Sequence, residues 1–155
     1  MKYLVIVSLI LITSISCQPK EEPFSTKIKL ADLTGAALDS ELYEDKILIL
    51  NLWATWCKPC IKEMPVLERM QNELSDDFVL LLASAEELKT IQTFTERRVF
   101  DLQFVQIQNS MEALGVYSLP TTFVIGKDGE LKQTLVGAQK WDSPEQIQQF
   151  KNYLK

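Results

Sequence analysis

Two cysteines, Cys57 and Cys60, stand two residues apart and form the pair whose residue types and spacing predict chemistry. They follow an apolar run over residues 47–53 that predicts a buried strand, and they precede a helical pattern over residues 61–74. A cysteine reacts as its thiolate, which is stabilised at the start of a helix because backbone N–H groups point outward there. The pair therefore predicts a site that makes and breaks disulfides at a strand-to-helix junction.

The two cysteines have different predicted roles. Cys57 lies at the mouth of the helix, and we expect an exposed attacking thiolate there, favoured by the helix N-terminus and by Lys58. Cys60 lies one turn deeper and is predicted to resolve the mixed disulfide and release the reduced substrate. Glu63 follows on the same helix face, where the helix dipole alone would explain an acid in the first turn.

The composition argues against several other interpretations of the cysteine pair. A CxxC pair is half of many zinc sites, but a complete site needs about four ligands. The chain has no histidine and only one further cysteine, Cys17, so we predict no metal and no cofactor. The formal net charge of -5 argues against nucleic acid as a partner, because nucleic-acid binding requires a basic face.

The start of the chain is predicted to lie outside the fold. Residues 1–16 combine a positive charge, a short apolar run and small residues at the end, which is typical of a secretory signal peptide. The context of Cys17 resembles a bacterial lipobox, which implies lipidation of Cys17, although Ser14 stands where leucine is usual. The alternatives are an ordinary cleaved signal, or an uncleaved anchor with Cys17 as a spare thiol.

The rest of the chain is predicted to form one domain after a short linker. Residues 17–26 are polar with two prolines, which is the composition of a linker. Residues 27–155 are long enough for a single domain with its own core. Further strands are predicted over residues 27–33, 78–83, 102–107, 121–125 and 130–136, and helices over residues 86–100, 110–116 and from Ser143 to about residue 154. The alternation of the first half and the hairpin signal at residues 127–129 predict a mixed sheet.

Four motifs in order give the chain a resemblance to thioredoxin-fold proteins of the TlpA/ResA type over roughly residues 24–155. They are residues 51–60 (NLWATWCKPC), residues 118–122 (SLPTT), residues 127–130 (KDGE) and residues 136–137 (VG). The resemblance implies an α/β thioredoxin-like three-layer sandwich, with a mixed central sheet and helices on both faces. Asn51 stands where thioredoxin itself has a buried aspartate, which favours the membrane-facing TlpA-like proteins.

The resemblance also assigns site residues beyond the cysteine pair. Glu63 matches the acid that handles the proton of Cys60, and Pro120 matches a cis-proline that faces the disulfide. Leu119 backbone groups are predicted to pair with a substrate strand. Trp56 is predicted to be exposed for substrate contact, whereas Trp53 is assigned to the core.

The resulting prediction is a membrane-tethered thiol–disulfide oxidoreductase of the bacterial cell envelope, lipid-anchored and facing the periplasm. We expect a monomer that acts as a reductase on protein thiols and disulfides and takes electrons from a membrane protein, in cytochrome c maturation or envelope redox homeostasis. The alternatives are a disulfide oxidase or isomerase, or a noncatalytic binding module that kept the thioredoxin fold.

Overall fold

A six-stranded mixed sheet forms the centre of the protein. The computed structural model describes residues 22–154, so Cys17 and the predicted signal peptide lie outside the described residues. The strands are β1 (Leu30–Ala31), β2 (Ile47–Leu52), β3 (Phe78–Ser84), β4 (Gln103–Ile107), β5 (Thr121–Ile125) and β6 (Leu131–Val136). Their order is β1-β4-β3-β2-β5-β6, with β2, β3 and β4 parallel and the remaining pairs antiparallel. The predicted mixed sheet is confirmed.

Strand β2 is central because its sequence is apolar on both faces. All six of its residues are buried, and consecutive side chains enter opposite cores. Ile47 and Ile49 belong to one core, and Leu48 and Leu50 belong to the other. The exception is the buried amide of Asn51, which requires a hydrogen-bonded setting at the end of the strand.

Three α-helices cover one face of the sheet. They are α1 (Lys58–Glu73), α2 (Leu88–Glu96) and α3 (Pro144–Asn152), and all three contribute side chains to the core that contains Ile47. Helix α1 connects β2 to its parallel neighbour β3, and α2 connects β3 to its parallel neighbour β4. Both connections therefore advance in the same direction across the sheet. Right-handed crossovers then place both helices on the same face.

The opposite face differs from the prediction of helices on both faces. It is covered by irregular chain and by short 3-10 helices, among them Phe24–Lys27 and Glu112–Leu114. The helix predicted over residues 110–116 is only the second of these turns, because Gly115 takes a left-handed conformation at φ 72° and ends it. The thioredoxin-like fold is confirmed, with 3-10 turns as the second covering layer.

Three further elements differ in their bounds from the sequence prediction. The edge strand predicted over residues 27–33 is only two residues long, and the helix predicted over residues 86–100 ends at Glu96. Helix α1 begins at Lys58 rather than at residue 61, which places Cys60 inside the helix. The predicted hairpin turn is confirmed: the Gly126 N–H donates to the Glu130 carbonyl across it.

The predicted linker overlaps the folded part. The ring of Phe24 meets the ring of Phe123 edge-on, with centroids 5.2 Å apart, and the Ser25 N–H donates to the Gly129 carbonyl. Residues 24 and 25, which the sequence analysis assigns to the linker, therefore pack on the sheet near the turn between β5 and β6. Within residues 22–154, no helix has the length and apolar character needed to cross a bilayer.

Candidate active site

The Cys57–Cys60 disulfide closes at the N-terminus of α1. Cys57 is the N-cap residue, and its Sγ accepts a hydrogen bond from the Cys60 N–H at 3.3 Å. The two Cα atoms are 5.3 Å apart, within the range that a disulfide requires. Pro59 occupies the first turn, where its missing N–H leaves no hydrogen bond unmade. The strand-to-helix junction predicted for the pair is confirmed.

Burial of Cys57 is a correction to the sequence prediction. We expected an exposed thiol, but Cys57 is only 4% exposed and Cys60 only 1%. Both residues belong to the helix-covered core. In this oxidised form the disulfide joins two residues of the same core.

Glu63 is a buried acid with two side-chain donors. Asn51 donates from Nδ2 to Glu63 Oε1 at 2.9 Å, and Trp141 donates from Nε1 to Glu63 Oε2 at 2.8 Å. The second Asn51 amide hydrogen goes to Thr122 Oγ1 at 3.0 Å. The strand end, the first helix and the loop before the last helix thus meet at one carboxyl group.

Burial raises the pKa of Glu63 above its ordinary value. The hydrogen bonds from Trp141 and Asn51 and from the Gln139 backbone oppose that rise but are outweighed. The helix-dipole explanation for this residue is wrong, because the first turn of α1 contains no acidic residue and Glu63 is only 5% exposed. A buried carboxyl with a raised pKa is suited to exchange a proton.

The segment before β5 lies at the same end of the sheet as the disulfide loop. The Leu119–Pro120 peptide bond is cis, as predicted, and Pro120 is buried. The register pairs Thr121 with Leu52, so Pro120 stands at the same end of the sheet as the end of β2. The Gly137 N–H donates to the Pro120 carbonyl at 2.8 Å, which ties this segment to the end of β6. The substrate-binding roles of Leu119 and Pro120 remain predictions.

The two tryptophans of the motif are placed as the sequence predicts. Trp56 is 71% exposed and stands directly before Cys57, whereas Trp53 is fully buried. Trp53 packs against Phe94 and Phe104, with ring centroids 4.7 and 5.4 Å away. These contacts anchor the chain three residues before the exposed indole. Contact of Trp56 with substrate remains a prediction.

Sequence analysis missed the acid that holds the disulfide loop. Glu86 Oε2 accepts from the Thr55 N–H at 2.7 Å, and Glu86 Oε1 accepts from Thr55 Oγ1 at 2.7 Å. Ser84 Oγ also donates to Glu86 Oε2, at 3.0 Å. The Cys57 N–H closes the turn by donating to the Ala54 carbonyl at 3.0 Å. No local pattern marks Glu86, because its partner lies 31 residues earlier in the chain.

Trp141 was also missed, and for the same reason. It is fully buried and reaches Glu63 across a separation of 78 residues. A tryptophan just before the cap of the last helix would have been the available signal. Within residues 22–154, no group of three or more His, Cys, Asp or Glu side chains is arranged to hold a metal ion.

Comparison with known proteins identifies the family. The AhpC/TSA family description matches residues 23–134. The thiol-disulfide oxidoreductase ResA of Bacillus cereus strain ZK is 34% identical over 116 residues, which are 71% of this chain and 66% of that protein. The chain thus spans slightly less than two thirds of that relative's length.

Solved structures show the same fold. A Chlorobium tepidum protein provisionally named thiol:disulfide interchange protein DsbE superposes with a TM-score of 0.70 and 21% identity, over 82% of this chain and 92% of that chain. The exposed lipoprotein thioredoxin of Streptococcus pneumoniae superposes with a TM-score of 0.67 and 25% identity, over 80% of this chain and 97% of that chain.

The fold and the site are those of a thioredoxin-like thiol–disulfide oxidoreductase. The chain belongs to the AhpC/TSA family, and the curated relative described above is a thiol-disulfide oxidoreductase.

We predict that Glu86 fixes the loop that carries Cys57. Glu86→Ala should lower the free energy of unfolding by about 1–3 kcal/mol, because it leaves the Thr55 donors without their acceptor. It should also slow disulfide reduction about tenfold or more, because the attacking sulfur loses its fixed position. Urea unfolding of the oxidised protein and an insulin-reduction assay measure the two effects.

Glu86→Gln is the matched variant for charge. Its amide oxygen can still accept from the Thr55 N–H and its amide nitrogen can donate to Thr55 Oγ1, so most of the activity should remain. Glu87→Ala changes charge by the same amount at an exposed neighbour whose side chain makes no cap hydrogen bond. Equal effects of Glu86→Ala and Glu87→Ala would contradict the positioning role.

Proposed function

We propose that this protein is a membrane-tethered reductase of disulfides in the bacterial cell envelope. The observation that carries the proposal is the Cys57–Cys60 disulfide at the N-cap of α1, at the same end of the sheet as a cis-proline and one helical turn before the buried Glu63. A helix N-terminus favours a thiolate at its cap residue, which is the form that attacks a disulfide. The family membership supports the same chemistry.

The proposed reaction is a two-step exchange. In the reduced protein, the Cys57 thiolate attacks one sulfur of a substrate disulfide, forming a mixed disulfide and releasing one substrate thiolate. Cys60, deprotonated, then attacks Cys57 Sγ, which re-forms the Cys57–Cys60 disulfide and releases the second substrate thiolate. Two electrons pass to the substrate, and protons from the site or solvent complete its two thiols. The disulfide described here is the product state of this cycle.

Glu63 is proposed to exchange the proton of Cys60. It follows Cys60 by one turn of the same helix, and both residues are buried. A carboxyl group with a raised pKa can accept the Cys60 proton when the thiol must attack and return it when the disulfide is reduced. Leu119 and Pro120 are proposed to receive the substrate backbone on the other side of the disulfide.

The proposed location is the outer side of a bacterial membrane, facing the periplasm. It rests on the signal-peptide pattern of residues 1–16 and on the lipobox-like context of Cys17. The similarity to a structure described as an exposed lipoprotein thioredoxin supports the lipid anchor. The proposed electron donor is a membrane protein, and the proposed work is cytochrome c maturation or envelope redox homeostasis.

The first prediction separates a reductase from the alternatives. Wild-type protein should reduce insulin with dithiothreitol as the electron source, whereas Cys57→Ser should abolish turnover because no attacking sulfur remains. Cys60→Ser should accumulate the mixed disulfide, which mass spectrometry detects. Absence of wild-type turnover would favour a binding module, and a reduction potential well above that of glutathione would favour an oxidase or isomerase.

The second prediction concerns the pH dependence that Glu63 confers. Its folded pKa is raised, so between the unfolded value of 4.5 and the folded pKa the native state holds a proton that the unfolded state has lost. Stability should therefore fall as pH rises through this window, by up to about 1.4 kcal/mol per pH unit. Glu63→Gln should flatten this slope in urea unfolding of the oxidised protein.

The proton-exchange role has its own readout in the same variant. In reduced protein, the ionised Glu63 carboxylate disfavours a nearby Cys60 thiolate, so Glu63→Gln should move the alkylation profile of Cys60 to lower pH. Glu68→Gln, a change of a partly exposed acid on the same helix, serves as the control. Unchanged profiles of both cysteines in Glu63→Gln would rule out this role.

The third prediction tests the anchor. Protein extracted from membranes of a bacterial host should carry acyl chains on Cys17, and its intact mass should exceed that of the unmodified chain from Cys17 to Lys155 accordingly. Cys17→Ser should release the protein from the membrane fraction and leave insulin reduction by the purified protein unchanged. An unmodified Cys17 in the wild-type protein would contradict the lipid anchor.

A further inference from the structure

A groove beside α2 begins at the loop that carries the disulfide. It encloses about 510 Å³, and one of its walls is Thr55, two residues before Cys57. Consecutive Cα atoms are 3.80 Å apart, so Thr55 and Cys57 are separated by at most about 7.6 Å. The residues that give the groove its chemical character are Thr55, Glu87, Lys89, Phe94, Arg97 and Arg98.

The groove is basic on a protein that is acidic overall. It contains three cations, Lys89, Arg97 and Arg98, against the single acid Glu87, whereas the whole chain has a formal net charge of -5. None of the three cations forms a salt bridge with another residue of the described range 22–154. Their charges are therefore available to a partner, and all three side chains are exposed.

One of these cations is already held in place. The Arg98 guanidinium lies 4.9 Å from the centroid of the Phe94 ring, in the arrangement of a cation–π contact. Phe94 in turn packs on the buried Trp53. A guanidinium that is fixed on a ring loses less side-chain freedom when it binds a carboxylate, and its planar fork matches the two oxygens.

The groove and the cis-proline segment lie on opposite sides of the disulfide. Strand β2, which leads to Cys57, has β5 as one neighbour and β3 as the other. Pro120 precedes β5, whereas Glu86 and α2 follow β3. Glu86 holds Thr55 by two hydrogen bonds, so the wall between the groove and the disulfide is fixed.

We propose that this groove binds an acidic segment of the protein substrate, within about two to six residues of the substrate's reacting cysteine. An extended chain advances about 3.3–3.6 Å per residue, so the limit of about 7.6 Å between Thr55 and Cys57 corresponds to about two residues. The groove continues along α2 from Lys89 to Arg98, roughly 14 Å at about 1.5 Å per residue, which adds about four more. We assign the occupant of the groove to the same substrate chain that carries the reacting disulfide, because the groove adjoins Cys57, whose sulfur that chain must reach. The inference rests on the proposed reductase function, and it specifies in addition that the substrate is acidic near its reacting cysteine.

The test uses disulfide peptides that differ only in flanking charge. Each peptide of equal length contains one intramolecular disulfide, flanked on either side by an Asp/Glu segment, a Lys segment or a Ser/Gln segment. Single-turnover reduction by the reduced protein gives a second-order rate constant for each. At low salt the acidic peptide should react about tenfold faster than the neutral one, and high salt should shrink the preference.

Charge reversal locates the preference on the protein. Arg97→Glu/Arg98→Glu should abolish or invert the ratio of the acidic peptide's rate constant to that of the neutral peptide. Lys27→Glu/Lys151→Glu changes the net charge equally at exposed sites outside the groove and should keep the preference. Because Arg98→Glu also removes the contact with Phe94, Lys89→Gln/Arg97→Gln is a second variant, and it should weaken the preference with that contact intact.

The outcomes separate the two proposals. Equal rates for acidic and neutral peptides, or an equal loss of preference in the control variant, would overturn the groove and leave the reductase function standing. Failure to reduce any of the peptides would instead contradict the reductase function itself.

Discussion

The position of β2 in the sheet is the constraint on which the site depends. Its end carries the turn with Cys57, and its two neighbours deliver everything that surrounds that turn. The segment with cis-Pro120 leads into β5. Glu86, which holds Thr55, follows the end of β3. A central strand can only serve in this way if both of its faces are buried, which its apolar sequence provides.

The buried acid beneath the pair links stability to chemistry. Glu63 is held by Asn51 from β2 and by Trp141 from the segment before α3, so three separate elements fix one carboxyl group. Asn51 supplies hydrogen-bond donors without a charge of its own, so in the oxidised form Glu63 is the one buried acid among residues 22–154. Burial keeps the pKa of Glu63 high, and the same burial makes the ionised form costly to the fold.

Local patterns predicted the parts of the structure that depend on neighbouring residues. The apolar run of β2, the helix after the cysteines, the hairpin turn and the cap at Ser143 all follow from sequence over a few residues. The cis bond before Pro120 was predicted from the resemblance, and the structure confirms it. These features need no information about distant chain.

Features that depend on contacts between residues far apart in the sequence were missed or were predicted wrongly. The anchoring of Thr55 by Glu86 and the contact of Trp141 with Glu63 join segments far apart in sequence. Cys57 is buried among core residues from distant parts of the chain, which no local pattern expresses. Helices α1 and α2 lie on one face because their successive crossovers have the same hand, and this emerges only once the order of the strands is known.

The hydrogen bond between Ser25 and Gly129 places the start of the folded domain far from the disulfide. Gly129 belongs to the hairpin turn beside the start of β2, whereas the disulfide follows the end of that strand. Six strand residues at about 3.3 Å each put roughly 20 Å between the two poles of the domain. The disulfide, which a partner must reach, therefore lies at the end of the domain remote from the place where Ser25 docks on the hairpin.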